Sequence, residues 1–204
     1  VVKGKAGSPY AITDYYDIDP DLATNVEKRM NEFESLVKRT HKAGLKMIID
    51  FVPNHVARQY KSIAKPEGIA DFGENDNTGM QFSPQNNFYY CPGQDFAADI
   101  DLYHGEELPY EEFPAKATGN DCFGNRPGRN DWYETVKLNY GVDYCDAGGI
   151  STHFSPTPDT WKKMLDILLF WAGKGVDAFR CDMAEMVPSA FWQWVTTEVR
   201  KKHH

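Results

Sequence analysis

Two short apolar runs constrain the fold of this chain more than any other feature. Residues 45–52, Leu-Lys-Met-Ile-Ile-Asp-Phe-Val, lie between Gly44 and Pro53, and residues 176–182, Val-Asp-Ala-Phe-Arg-Cys-Asp, follow a Gly173-Lys174-Gly175 turn. The first, a short apolar run bounded by Gly44 and Pro53, predicts a buried parallel strand, and the second reads as another short strand. Helical periodicity surrounds both runs. Thr24 and Glu27 have capping-box spacing, Val26, Met30, Phe33 and Val37 recur at helical intervals, and Gly44 is a stop signal. Before the second run, Thr157 or Asp159 can cap a helix carrying Trp161, Met164, Leu165, Leu168 and Leu169 or Trp171. After it, Pro188 suits the first turn of a helix through Phe191, Trp192, Val195 and Val199. The order is helix, strand, long insertion, helix, strand, helix, which predicts an α/β fold with parallel strands and crossover helices.

The insertion, residues 56–157, is rich in Gly, Pro, Asn and Asp and has little periodicity. A structureless loop of that length is uncommon in a compact domain, so it is expected to fold as a small unit of its own. Residues 7–20 are turn-rich and aromatic and read as a loop. With 204 residues, 41% of them hydrophobic and 25% charged, the composition is globular. A net charge of -8 disfavours nucleic acid and anionic membranes as partners, and no apolar run reaches membrane-spanning length. The four cysteines form no CxxC pair, which argues against a zinc site. Cys181 is expected to be buried in its strand; a disulfide among Cys91, Cys122 and Cys145 stays open, and with it the redox compartment.

In parallel α/β folds the chemistry collects at the carboxyl ends of the strands. The first run ends in Asp50-Phe51-Val52-Pro53-Asn54-His55. Alternation along a strand places Asp50, Val52 and Asn54 on one face, with His55 just beyond. Asp50 and Asn54 read equally as turn hydrogen-bonders. On the second run Val176, Ala178, Arg180 and Asp182 share a face, so that Arg180 and Asp182 emerge together at the top. An arginine beside a carboxylate offsets the cost of burying either, which suits a carboxylate nucleophile and suits a structural ion pair just as well.

Together, Asp-x-x-x-Asn-His ending one strand and Gly-x-x-x-x-Arg-x-Asp-x-Ala ending a later one resemble two signature regions of glycoside hydrolase family 13, the α-amylase family. Ser8-Pro9-Tyr10 through Asp19-Pro20 is similar to the loop after that family's second barrel strand, and Leu138-Asn139-Tyr140 to the tail of another family region. The resemblance implies a partial (β/α)8 TIM barrel made of residues 1–55 and 158–204, with residues 56–157 as an inserted domain B. It also implies a retaining mechanism on α-glucosidic bonds of starch-like glucans or maltooligosaccharides. Asp182 would be the nucleophile and Arg180 would orient it. Tyr10 would stack on the sugar at the cleaved bond, His55 would hydrogen-bond its hydroxyls, and Asp50 would hold the strand top.

This chain departs from the family pattern at several positions. Glu185 and Met186 stand where many relatives have Lys and His, so Glu185 is a candidate sugar contact of a different kind. Asn54 matches a calcium ligand of many relatives, but Lys137 stands where the companion carboxylate would be. An ammonium cannot ligate calcium, so no cofactor is expected and Lys137 is expected to take the cation's place, bridging the insertion to the barrel. The family's acid/base Glu would lie beyond His204. The start at Val1 and the two convincing strands point the same way, to a fragment that relies on the missing barrel strands of a parent chain and is inactive alone. Competing readings are a transglycosylase or isomerase of the same family and a non-catalytic carbohydrate-binding protein. An unrelated metal-dependent barrel hydrolase is disfavoured, because of six histidines only His55 sits at a strand end.

Overall fold

A computed structural model describes residues 2–3, 8–98 and 110–203; Gly7 at the start of the aromatic loop, residues 99–109 of the insertion and His204 lie outside the described residues. Near the start, β1 (Val2–Lys3) pairs antiparallel with β2 (Ile12–Asp14), so the aromatic stretch read as loop contains a short strand. Ile12, Tyr15 and Tyr16 are buried there, and the Asp14 carboxylate accepts from the Ser62 hydroxyl at 2.7 Å and the Ile63 amide at 2.8 Å. Burial of aromatics on this segment, with its backbone paired, is what makes it regular.

Helix α1 (Arg29–Lys42) follows. Its start differs from the capping-box expectation. Asn25 caps a 3-10 turn (Val26–Lys28), and the Glu32 carboxylate reaches back to the amides of Thr24 and Asn25 at 2.9 and 2.8 Å. One acid from inside the helix thus satisfies two amides ahead of it, the work a capping pair would do. Helix α2 (Asp159–Gly173) buries Trp161, Met164, Ile167, Leu168 and Trp171, and helix α3 (Ser189–Lys202) buries Phe191 and Val195. Full burial of such side chains stabilises by roughly 1.5–3 kcal/mol each. The two tryptophans also tie elements together by hydrogen bonds. The Trp161 indole donates to the Tyr140 carbonyl at 3.1 Å, and that of Trp171 to the Tyr15 carbonyl at 2.7 Å.

Strands β3 (Ile48–Phe51) and β10 (Ala178–Cys181) pair in parallel, with Ala178 opposite Ile48 and Arg180 opposite Asp50. Phe51, Ile49, Phe179 and Cys181 face the core beneath the helices; Ile48, Asp50, Ala178 and Arg180 form the other face and are exposed. Cys181 is therefore only half-buried. The strands are shorter than the apolar runs. Val52 and Asn54 are buried while Asp50 is exposed, so the three do not share a face; Val176 is buried and Ala178 is not. The chain leaves the sheet after Phe51 because other groups claim its backbone: Tyr15 donates to the Val52 carbonyl at 2.5 Å and Tyr140 to that of Pro53 at 2.7 Å.

The insertion is a set of small antiparallel pairs. β4 (His55–Ala57) pairs with β7 (Thr135–Lys137), β5 (Tyr90–Cys91) with β6 (Ala115–Lys116), and β8 (Val142–Asp143) with β9 (Ser151–Thr152). One apolar cluster runs from Tyr15 and Phe51 through Val56, Phe88, Val136 and Leu138 to Trp161 and Phe191, so the insertion and the helical layer share a core. A smaller cluster holds Cys91, Phe96 and Ala115. All four cysteines are free thiols.

Candidate active site

The parallel register of β3 and β10 sets the geometry of the site. Residues directly opposite in a sheet project to the same side, so Asp50 and Arg180 leave the strand tops together. Arg180 Nη1 lies 3.0 Å from Asp182 Oδ1 and 3.7 Å from Asp50 Oδ2. The Tyr10 side chain lies close enough to the same guanidinium to act on its charge. One cation therefore gathers two carboxylates and a tyrosine that come from three separate stretches of sequence. The Asp182 side chain is 14% exposed, against 53% for Asp50 and 55% for Arg180. It is the most enclosed of the three and still open.

Asp182 is held by backbone on both sides. Its amide donates to the Phe51 carbonyl at 2.8 Å, which carries the strand pairing one residue past β10. Met183 then turns left-handed, with φ 48 and ψ 41, and opens a 3-10 turn (Ala184–Met186) that the Trp192 indole pins at the Ala184 carbonyl, 3.0 Å away. A non-glycine residue in this region costs on the order of 1 kcal/mol, and such strain gathers at functional sites. It swings the chain sharply off the strand directly after Asp182. Glu185 lies on that turn, exposed, and joins none of the hydrogen bonds that link the other site residues.

His55 begins β4, with the Tyr10 backbone close enough to act on its ring. Its ring is buried, 3% exposed, beneath the Trp132 indole, whose centroid is 5.3 Å away in an edge-on arrangement. Gly119 lets the loop close on it: a Cβ there would sit 2.9 Å from the His55 Cβ and 2.6 Å from the Thr135 hydroxyl. Burial, followed by the nearby Lys137 charge, lowers the imidazole pKa to about 4, so the ring is neutral at physiological pH. Trp132, Gly119 and Met183 escaped the sequence reading. Trp132 and Gly119 act by shape against distant His55, and Met183 by a backbone turn that no glycine marks; spacing along the chain carries no sign of either.

The position that would concern a metal is occupied by protein. Lys137 Nζ lies 3.2 Å from buried Asn54 Oδ1 and 2.5 Å from Asp121 Oδ1, whose side chain is 43% exposed. Calcium gathers six to eight oxygen ligands, and an ammonium on the one candidate oxygen of Asn54 leaves it no room. The residues present do not fit that ion.

The family model of the α-amylase catalytic domain matches residues 3–204. The chain belongs to the α-amylase family. Maltase A2 of Drosophila melanogaster is 26% identical over 183 residues, covering 85% of this chain and 25% of that protein. An amino acid transporter heavy chain of Homo sapiens is 26% identical over 192 residues, covering 89% of this chain and 22% of that protein. The crystal structure of an α-amylase from Lactobacillus plantarum superposes with a TM-score of 0.53 at 26% identity, covering 98% of this chain and 32% of that one. The fold is accordingly part of the α-amylase (β/α)8 barrel, with β3 and β10 as two of its strands. This chain spans about a quarter of the length of the curated α-amylase relatives it matches.

Proposed function

We propose that this chain forms the nucleophile side of the active site in a retaining glycosidase that cleaves α-glucosidic bonds of starch-like glucans or maltooligosaccharides. The observation that carries the reading is the Arg180 guanidinium paired with Asp182 and Asp50, with Tyr10 close by, at the carboxyl ends of two parallel barrel strands. In this reading an Asp182 oxygen attacks the anomeric carbon while a second carboxyl group protonates the leaving oxygen. Water activated by that second group then cleaves the glycosyl–aspartyl ester, and the sugar is released with its configuration retained. Arg180 positions Asp182. Tyr10, 38% exposed, offers its ring to the apolar face of the sugar, whereas His55, 3% exposed with Trp132 against its ring, supports the Tyr10 loop instead of hydrogen-bonding the sugar as the sequence led one to expect. Glu185 faces solvent past Asp182, where the leaving portion of a glucan would pass. No metal takes part; Lys137 fills the cation position.

The names of the relatives favour weighing two other outcomes. α-1,4-Glucan:maltose-1-phosphate maltosyltransferase of Cereibacter sphaeroides is 38% identical over 104 residues, 49% of this chain, and passage of the same covalent sugar to an acceptor other than water would give a transferase. A transporter heavy chain among the relatives keeps a non-catalytic role in view. The experiment is Asp182→Asn in a polypeptide that continues this chain through the remaining barrel. The expected result is a fall in kcat on maltotriose on the order of 10^4-fold or more, with KM changed far less. Product analysis of the wild type separates glucose and maltose from longer transfer products. Undiminished turnover in the variant refutes Asp182 as nucleophile, and an inert wild type favours the non-catalytic reading.

A further inference from the structure

The polar groups under His55 form a directed chain. Asn54 Oδ1 accepts from Lys137 Nζ at 3.2 Å, and Asn54 Nδ2 donates to the Gly119 carbonyl at 2.8 Å. These partners fix which way the amide points. Turned over, it would set an NH2 against an ammonium and an oxygen against a carbonyl. The second hydrogen of Nδ2 therefore faces His55 Nδ1, 3.1 Å away, and Nδ1 has to offer a lone pair. A neutral imidazole carries one N–H, so it is on Nε2, the nitrogen that Asn54 does not engage, and the Tyr10 backbone lies close to the ring. Lys137, Asn54 and His55 are 2%, 1% and 3% exposed, so bulk solvent does not compete for these bonds. At the outer end Asp121, itself left-handed at φ 69, holds the Lys137 ammonium at 2.5 Å.

We propose that Lys137 is a positioning residue: through the Asn54 amide it fixes the proton of His55 on Nε2 and so sets how the ring acts on the Tyr10 loop beside it. The ring of Tyr10 in turn meets Arg180, so a residue of the insertion sets the geometry at the strand tops. The tautomer follows from the hydrogen bonds alone, whereas its effect on catalysis rests on the function proposed above.

The test reads the two ring nitrogens of His55 directly, by 15N NMR of the protein labelled at histidine, with His55→Gln to assign the signal. Wild type is expected to show Nδ1 unprotonated and Nε2 protonated near neutral pH. Asn54→Asp keeps the shape and replaces the donor facing Nδ1 with an acceptor, so the proton is expected to move to Nδ1. Lys137→Met keeps the bulk and removes the ammonium, so the two tautomers are expected to mix. In the active polypeptide, kcat/KM is expected to fall about 10- to 100-fold in either variant. Wild type protonated at Nδ1 overturns the proposal before any variant is made, as does an Asn54→Asp protein that keeps its proton on Nε2. If the tautomers shift as expected and turnover is unchanged, the relay stands and the placing of the Tyr10 loop beside the substrate falls.

Discussion

At the scale of single residues the site is defined by which charges are enclosed and which are open. Asp182 keeps its carboxylate beside a guanidinium at a partly open mouth, while His55 is neutral because burial has removed water from its ring. That burial gives a pH prediction whose sign is fixed. The folded-state pKa of about 4 lies below the ordinary 6.5, so between these values the unfolded chain binds a proton that the folded chain refuses. The contribution of His55 to stability is complete above about 6.5 and is lost as pH falls toward about 4. Melting temperatures across that interval should fall more steeply for wild type than for His55→Gln; parallel curves would assign the loss to other groups. Lys137 supplies a second test. An ammonium already paired with Asn54 and Asp121 leaves calcium nothing to stabilise, so added calcium and added chelator should both leave the melting temperature unchanged.

At the scale of elements, α2 carries the packing on which the strand tops rest. Trp171 is 2% exposed, packs edge-on against Phe33 of α1 at 5.3 Å and donates to the Tyr15 carbonyl. Trp171→Ala should cost about 3–5 kcal/mol of unfolding free energy by denaturant titration, and a loss below about 1 kcal/mol would show that the core collapses onto the gap. Trp171 was readable in the sequence as an apolar position at helical spacing, as were both strands and all three long helices, because periodicity reports which face is buried. The strand boundaries were not. They are set by Tyr15 and Tyr140, whose hydroxyls take the Val52 and Pro53 carbonyls from distant parts of the chain. The same holds within the site. Asp50, Arg180, Asp182, Tyr10 and His55 could be singled out from short motifs, whereas the Trp132 cover on His55 and the left-handed turn at Met183 depend on packing that no local pattern encodes.

At the scale of the molecule the decisive feature is the face that β3 and β10 turn away from the helices. Ile48 is 59% exposed, and Ala178 is exposed beside it, below the open pair of Asp50 and Arg180. Among the described residues these strands pair only with each other, so each also leaves an edge of unpaired amides and carbonyls. In a closed (β/α)8 barrel both would be covered by neighbouring strands and by side chains filling the interior. A parallel pair with a bare apolar face invites association, and the function proposed above requires, besides Asp182, a second carboxyl group across the sugar as proton donor to the leaving oxygen. The purified 204-residue chain should therefore sediment as concentration-dependent oligomers, with Ile48→Lys shifting it toward monomer. It should also release no reducing sugar from maltotriose above the uncatalysed background. Association unaffected by the charge at position 48 would locate the contact elsewhere on the chain. Turnover by the monomeric variant would mean that the acid comes from within these residues, which would make exposed Glu185 the first carboxylate to replace.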